Sequence, residues 1–448
     1  MDLLRGNIKT IYFKYLAAAF GSALISSIYS LVDMAVVGQY QGPAGTAALA
    51  VVAPIWNIIY SLGLLAGIGG SVLFSNLRGR ADKNGADENE YFTASLLLAV
   101  LFAVGSWLAV FFLDRPMLLL FGADQALLPL AQAYLQPIKF AVPLFVFNQM
   151  LSSFLRNDNH PGLATAAVLC GGVFNIIGDY LFVFTFDTGI YGAGLATALG
   201  ALINFIVIIS HFFTKKNTLR LVRPKALFAK SREITVTGFS TFFIDIAMGI
   251  LTMLFNRQIM RYAGTDALAV YGIIVNVSTI VQCCGYSVGQ AAQPLLSINF
   301  GANNGDRIKQ TLKYALQATA FFSIVWTALT LLLPKAFVYI FMAPTPGVLA
   351  ITPRIMRSYG ISFLLLPLNV FSTYYFQSLI RPGASMLVSM LRGMIISGGL
   401  IYLLPAVAGA NALWFTMPIT ELIVAGLVVW LMREYTKQLP GQSKRAMA

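Results

Sequence analysis

The chain has 448 residues, of which 58% are hydrophobic and 10% charged, and its mean hydropathy is +0.76. A soluble protein of this composition would lack the polar side chains needed to cover its surface, so we expect a membrane protein. The net charge of +13 is spread over short gaps between apolar runs, which argues against a nucleic-acid-binding domain. The three cysteines lie in apolar runs without CxxC or histidine-rich spacing, which argues against a disulfide framework or a zinc site.

The apolar runs are roughly 18 to 28 residues long, the length that an α-helix needs to cross about 30 Å of hydrocarbon. We therefore predict an all-α integral membrane protein with about twelve transmembrane helices. The first run is too long for the apolar part of a signal peptide, so we predict that it is a span. The predicted spans are 11–38, 47–76, 91–113, 127–154, 163–186, 192–213, 234–261, 267–298, 312–333, 353–378, 384–404 and 411–432.

The basic residues are distributed unevenly between alternate gaps. Counted from a cytoplasmic N-terminus, the gaps on that side carry most of the lysines and arginines, which by the positive-inside rule predicts that both termini are cytoplasmic. The gap at 214–232 mixes basic and apolar residues, as a segment on an anionic membrane face would. We predict that this segment is a cytoplasmic linker between two bundles, 1–213 and 233–448.

The two halves of the chain repeat each other. Residues 44–51 (AGTAALAV) recur at 263–270 (AGTDALAV), and a second and a third pair of matching segments follow in the same order at a nearly constant offset. Six helices per half mean that both copies enter the membrane from the same side, so the repeats are parallel and the two six-helix bundles are pseudo-symmetric. Two such bundles imply a central cavity and alternating access.

The predicted fifth span carries an amide and a carboxylate, Asn175 and Asp179, four residues apart on one helical face. Nearby Gly171, Gly172 and Gly178 leave little side-chain bulk, so we expect a neighbouring helix to approach closely and bring further polar groups. A carboxylate inside a membrane is costly, which suggests that it has a function.

Several segments match the motifs of a known family. Residues 32–38 resemble an Asp-x(4)-Gly signature in the first helix, 79–82 and 301–306 resemble two cytoplasmic Gly/Asp loops, and 155–161 resemble the loop after the fourth helix. Residues 175–180 and 192–197 are similar to motifs of the fifth and sixth helices. Over nearly its whole length the chain resembles the multidrug and toxic compound extrusion (MATE) family of cation-coupled efflux transporters.

This resemblance implies a V-shaped twelve-helix fold that exports bulky, often cationic compounds in exchange for Na⁺ or H⁺. It also implies an ion or proton site at Asp33, Asn175, Asp179 and Thr197. Oxygen ligands of this kind suit Na⁺, and the two acids alone suit a proton, so the coupling ion stays open. The first helix has no proline at 15–20, where many members carry one, so a proline kink is not available as a mechanism there.

Other polar residues in the spans are candidates for the substrate cavity. Asp245 lies on the span that opens the second half, where its carboxylate would attract an organic cation. Methionine side chains can adapt to ligands of different shape. Each candidate also has a structural interpretation, as a core, lipid-facing or locally bridging residue, and Arg392 is interpreted as snorkelling or pairing with an acid. The candidates for the cavity are Asp245, Asn148, Gln149, Met150, Met253, Asn256, Lys139 and Glu421.

We therefore predict a secondary active multidrug exporter in the bacterial inner membrane. The alternative is a lipid-linked oligosaccharide flippase of the same superfamily, which would need several basic residues in its cavity to pair with a diphosphate. A passive channel would need a ring of repeated polar side chains, which the sequence lacks. We find no catalytic constellation, so we expect no enzyme activity and no cofactor besides the coupling ion. The expected partners are small organic substrates and the lipid bilayer, with no nucleic acid, and the protein is expected to be a monomer.

Overall fold

A computed structural model describes residues 2–80, 87–341 and 345–439. These residues form sixteen α-helices and no β-strand. The predicted loop motif at 79–82 extends beyond Arg80 outside the described residues. The helices are α1 (Ile8–Gln41), α2 (Pro43–Gly79), α3 (Asn89–Leu120), α4 (Leu128–Ile138), α5 (Val142–Asn157), α6 (Pro161–Tyr180), α7 (Gly189–Ile209), α8 (Leu227–Tyr262), α9 (Gly264–Gly301), α10 (Gly305–Leu332), α11 (Pro334–Phe341), α12 (Pro346–Gly360), α13 (Leu366–Ser378), α14 (Pro382–Met390), α15 (Ile396–Ala408) and α16 (Thr416–Lys437).

Eleven helical segments of the described chain are long and apolar enough to cross a membrane, and a bent pair of helices makes a twelfth. That pair is α4 and α5, which meet at an angle of 59°. Pro137 and Pro143 flank the break, and a proline disfavours helix both at its own position and at the residue before it. The prediction of an all-α membrane protein with about twelve spans is confirmed.

The chain divides into two compact units. One contains Ala17–Phe242 and the other contains Asp2–Leu16 together with the chain from Phe243 onward. Both boundaries fall inside helices, α1 and α8, because the first residues of each helix pack in a different unit from the rest. The division therefore does not follow the bundles 1–213 and 233–448 that the sequence suggested, which remain a prediction.

Residues 214–226 of the predicted linker have no regular secondary structure and form a strap that is fixed to the N-terminal unit. The backbone N–H groups of Arg220, Val222 and Lys225 donate to side chains at the start of α3, over 2.9, 3.1 and 2.8 Å. Leu219 is buried in the hydrophobic core of the same unit. Since α8 begins at Leu227, residues 227–232 of the predicted linker are helical.

The repeat of the sequence is visible in the backbone of each unit. Gly42 and Gly264, which precede α2 and open α9, both have positive φ angles of 68° and 80°. Asn159 and Ile380, before α6 and α14, also have positive φ, at 63° and 53°. A β-branched residue rarely adopts this conformation, so its presence at Ile380 indicates that the turn is imposed by the surrounding repeat fold.

Candidate functional site

A carboxylate of the first span is held by a tyrosine of the fourth. The hydroxyl of Tyr134 in α4 donates to Oδ2 of Asp33 in α1 over 2.8 Å. The other oxygen of Asp33 is buried and has no hydrogen-bond partner in the described part of the chain. The Tyr134 hydroxyl also lies 3.5 Å from Oγ1 of Thr197 in α7. Tyr134 thus connects Asp33 to the sixth-span residue that the sequence analysis assigned to the same site.

The fifth-span pair completes this cluster. Nδ2 of Asn175 donates to Oγ1 of Thr197 over 3.2 Å. Asp179, one helical turn further along α6, is completely buried and interacts electrostatically with Asp33. Neither carboxylate oxygen of Asp179 nor the amide oxygen of Asn175 has a hydrogen-bond partner among the described residues. The structure therefore brings all four predicted coupling residues together and adds Tyr134 to them.

The glycines of α6 explain why these helices can meet. A side chain at Gly171 would lie 2.6 Å from the carbonyl oxygen of Gly200 in α7, and one at Gly200 would lie 2.8 Å from the carbonyl oxygen of Gly171. On the α1 side, a side chain at Gly172 would press against Tyr29 at 3.1 Å. Backbone contact between helices is the usual role of small residues in membranes, and here it places Thr197 beside Asn175.

Two chemistries fit this cluster. Several converging oxygens without donors are the environment that a small hard cation such as Na⁺ prefers. Two carboxylates that interact in a buried site can equally share a proton, because repulsion between like charges disfavours ionisation of both at once. A bound cation would give several of these unpaired oxygens a ligand contact, and a bound proton would neutralise one carboxylate and supply one donor.

A small cavity of about 40 Å³ adjoins the cluster, and Asn175 and Thr197 form part of its wall. Asn148 and Gln149, two of the candidate substrate residues, line it as well. Gln149 is hydrogen-bonded to the Tyr60 hydroxyl. The cavity has room for about two or three water molecules, so its volume is far too small for a bulky organic compound. It can therefore hydrate the cluster but not accommodate a drug-sized ligand in this conformation.

Two further candidates of the N-terminal unit lie elsewhere. Met150 is completely buried and packs against α2, where Gly67 leaves room for its backbone. Lys139, at the break between α4 and α5, donates to Oδ2 of Asp114 over 2.8 Å and lies above the ring of Phe111. Neither residue contacts the acid cluster or lines the cavity beside it.

In the C-terminal unit, Asp245 is held by a hydroxyl much as Asp33 is. The Tyr286 hydroxyl donates to Oδ1 of Asp245 over 2.9 Å and accepts a hydrogen bond from Gln282 over 2.6 Å. Met253 and Asn256, further along the same helix, are exposed, Met253 to 64%. The structure therefore does not bring these three candidates into direct contact.

Glu421 is part of a buried ion pair. Nε of Arg392 donates to its Oε1 over 2.8 Å, and Nδ2 of Asn369 donates to its Oε2 over 2.6 Å. Asn369 also donates to the backbone oxygen of Glu421 over 2.9 Å, as Asn148 donates to the backbone oxygen of Ala201 in the other unit over the same distance. The asparagine contact is thus common to both repeats, whereas the ion pair belongs to the second.

The two histidines of the chain come together with Asp158. The rings of His160 and His211 lie 4.5 Å apart, and Nε2 of His211 lies 2.7 Å from Oδ2 of Asp158. Arg78 and Thr218 also donate to this carboxylate. Although burial raises the pKa of Asp158, these hydrogen bonds and the Arg78 charge lower it below its ordinary value. We interpret the cluster as an anchor for the strap, since Thr218 belongs to it.

Sequence reasoning missed Tyr134, because a tyrosine in an apolar run carries no signal of its own. Pro137, one turn after Tyr134, indicates the break between the two helices, but nothing in this stretch indicates that Tyr134 contacts Asp33. It also missed that Tyr29 and Tyr60 are hydrogen-bonded to each other on the cavity wall. These partners depend on how helices pack, which local patterns do not reveal.

Comparison with known proteins identifies the family. The sequence model of the MatE family matches twice, at residues 18–181 and 240–403. The multidrug export protein MepA of Staphylococcus saprophyticus is 24% identical over 92% of this chain and 91% of its own length, and MepA of Staphylococcus haemolyticus is 23% identical over 93% and 91%.

Two solved structures have the same fold. One is an outward-facing multidrug resistance transporter of the MATE family, and the other is a transporter of the MOP superfamily from Pyrococcus furiosus, described as having a binding pocket of reversed polarity. Each has a TM-score of 0.88 and 20% identity, and covers 98% of both chains. The chain, whose two repeats both match the family model, belongs to the MatE family.

Proposed function

We propose that this protein is a secondary active multidrug exporter that exchanges bulky, mainly cationic organic compounds for H⁺ or Na⁺ by alternating access. The observation that carries the proposal is the cluster of Asp33, Asp179, Asn175 and Thr197 within the membrane-spanning helices. Oδ1 of Asp33, the amide oxygen of Asn175 and both carboxylate oxygens of Asp179 are buried and have no hydrogen-bond donor among the described residues. Acids within membrane spans are costly and typically mark an ion or substrate pathway. The relatives in Staphylococcus are multidrug export proteins, which supports export of drugs.

The coupling ion acts by neutralising this cluster. With Asp33 and Asp179 both ionised, the site is unstable in a medium of low dielectric constant, so it takes up a proton or a cation. The hydroxyl of Tyr134 donates to Asp33 in either case and keeps the carboxylate oriented. The adjoining cavity, whose wall includes Asn175 and Thr197, has room for water beside the cluster.

Asp245 is the residue that we assign to attraction of cationic substrates. Its carboxylate already accepts a hydrogen bond from Tyr286, but it has no ion-pair partner among the described residues. An organic cation can therefore approach it without displacing a resident lysine or arginine. Met253, exposed on the same helix, offers a flexible apolar contact of the kind that suits varied ligands.

The alternative function, a lipid-linked oligosaccharide flippase, is less well supported. Recognition of a diphosphate needs basic side chains that are available to the ligand. Two bases within the spans, Lys139 and Arg392, are already paired with Asp114 and Glu421. This pairing favours the exporter, because it removes two of the positive charges that a diphosphate would require.

We also propose that the protein works as a monomer in the bacterial inner membrane, with both termini and the segment 214–232 in the cytoplasm. The asymmetric distribution of lysine and arginine supports this orientation. Lys215 and Lys216 are exposed, so cysteines placed there are accessible to reagents. Labelling of these cysteines by a membrane-impermeant reagent in intact cells would contradict the orientation.

The decisive experiment measures export in proteoliposomes under imposed gradients. A Na⁺ gradient and a pH gradient are applied separately to wild-type protein, and then to Asp33→Asn and Asp179→Asn. We expect one gradient to drive transport in the wild type and neither to drive it in the variants, because an amide keeps the shape but cannot change its charge.

The matched control is Asp187→Asn, which removes an exposed carboxylate that bonds to Tyr40 outside the cluster. It should transport at the wild-type rate. Wild-type coupled transport by both cluster variants would place the coupling site elsewhere. Transport of a lipid-linked oligosaccharide without drug export would favour the alternative function.

A further inference from the structure

A groove of about 470 Å³ runs along the surface of the C-terminal unit, between α10 and the last turn of α16. One wall consists of residues that share a face of α10, and the other includes Thr436. The α10 residues that matter here are Lys309, Leu312, Lys313, Leu316 and Ala320. Their spacing of three or four residues places them in one stripe along the helix.

The stripe is ordered from charged to apolar. Lys309 and Lys313 lie one helical turn apart in the first turns of α10, and both are exposed. Leu316 and Ala320 follow, and beyond them Phe321 and Ile324 are exposed to 62% and 61%. From Lys309 to Ala320 the helix rises about 16 Å. The groove therefore has a basic end near the helix terminus and an apolar end within the span.

The two lysines are available to a ligand. Neither has an ion-pair partner among the described residues, whereas Lys139 and Lys230 do. Their ammonium groups have three donors each and prefer an anion with several oxygens. A helix that enters the hydrocarbon region directly after them holds such an anion at the depth of the lipid headgroups.

We propose that this groove binds an anionic phospholipid. The phosphate and the anionic headgroup lie between Lys309 and Lys313, and one acyl chain follows Leu316 and Ala320. The small side chain of Ala320 leaves the space that this chain needs. A free phosphate would not use the apolar half of the groove, and a zwitterionic lipid would bring its own cation to the lysines. This inference is independent of the coupling ion and of the exported substrate.

Native mass spectrometry of the full chain in detergent, titrated with dioleoyl phosphatidylglycerol or dioleoyl phosphatidylcholine, tests the proposal. We expect the wild type to retain phosphatidylglycerol preferentially. The double variant Lys309→Gln, Lys313→Gln should lose roughly thirtyfold in affinity for it, the loss expected from removing two charges near a lipid headgroup. Ala320→Trp keeps both charges and should also weaken binding, because it blocks the path of the acyl chain.

The matched control is Lys215→Gln with Lys216→Gln, which removes two exposed charges from the strap, away from this groove. It should bind phosphatidylglycerol as the wild type does. Replacing Lys309 and Lys313 by arginine should preserve binding, which separates loss of charge from misfolding. Equal retention of the two lipids, or an equal loss in the strap control, would overturn the proposal.

Discussion

Neutralising Glu421 should destabilise the C-terminal unit, because its partner Arg392 would keep a positive charge with only 4% of its surface exposed. The two charged groups are 2.8 Å apart, which corresponds to about 6 kcal/mol of Coulomb attraction at an effective dielectric constant of about 20. Desolvation consumes part of this energy. Removal of one partner from a buried pair costs about 3 to 5 kcal/mol, and this is the loss we expect for Glu421→Gln.

The assay is a double-mutant cycle measured by equilibrium unfolding in mixed micelles. Arg392→Met alone should cost a similar amount, since it leaves Glu421 charged and completely buried. The double variant should be more stable than either single one, because no unpaired charge remains. The matched comparison is Lys139 with Asp114, whose side chains are 18% and 14% exposed, where we expect a smaller cost of about 1 kcal/mol. Additive losses at Arg392 and Glu421 would refute the reasoning.

Three further predictions concern single residues. Asp158→Asn should lower the free energy of unfolding by about 2 kcal/mol at pH 5. This difference from the wild type should shrink as the pH falls below 3.8, because Asp158, whose pKa is lowered in the fold, stabilises it only while its carboxylate is ionised. A difference that stays constant with pH would contradict this. Asp245→Asn should weaken export of cationic substrates by roughly tenfold or more and of neutral ones much less, and equal losses would make it part of the coupling machinery or the fold. Gly200→Ala should destabilise the protein by about 1 to 3 kcal/mol in the unfolding assay, whereas Gly399→Ala, with open space around it, should be neutral or stabilising.

The spans could be predicted because crossing hydrocarbon demands a particular length and apolar composition of each helix. The break between α4 and α5 also has a local cause in Pro137 and Pro143. Asn175 and Asp179 could be placed on one face from their spacing alone, and the neighbouring glycines indicated a close helix contact. In each case the signal lies within one stretch of sequence.

The sequence did not show which acid each basic residue within the spans contacts. Arg392 was interpreted as snorkelling or as pairing with an acid, and only the packing of its helix against α16 selects Glu421. Lys139 likewise meets Asp114, a residue 25 positions away on another helix. The strap was expected to lie on the membrane face, but its backbone donors are instead used by side chains of α3. Such partners depend on tertiary distances that no local pattern encodes.

The first residues of the chain belong to the core of the C-terminal unit. Tyr12 and Tyr15 are buried there, Tyr12 stacks on Tyr314, and Arg307 donates to the backbone oxygen of Leu3. The family match begins only at residue 18, so this segment lies outside the repeat. A C-terminal half expressed without residues 2–16 would therefore lack Tyr12 and Tyr15 and would have cavities in its core at their positions. Separate expression of the halves requires residues 2–16 to be supplied to the second half, either fused to it or as a peptide.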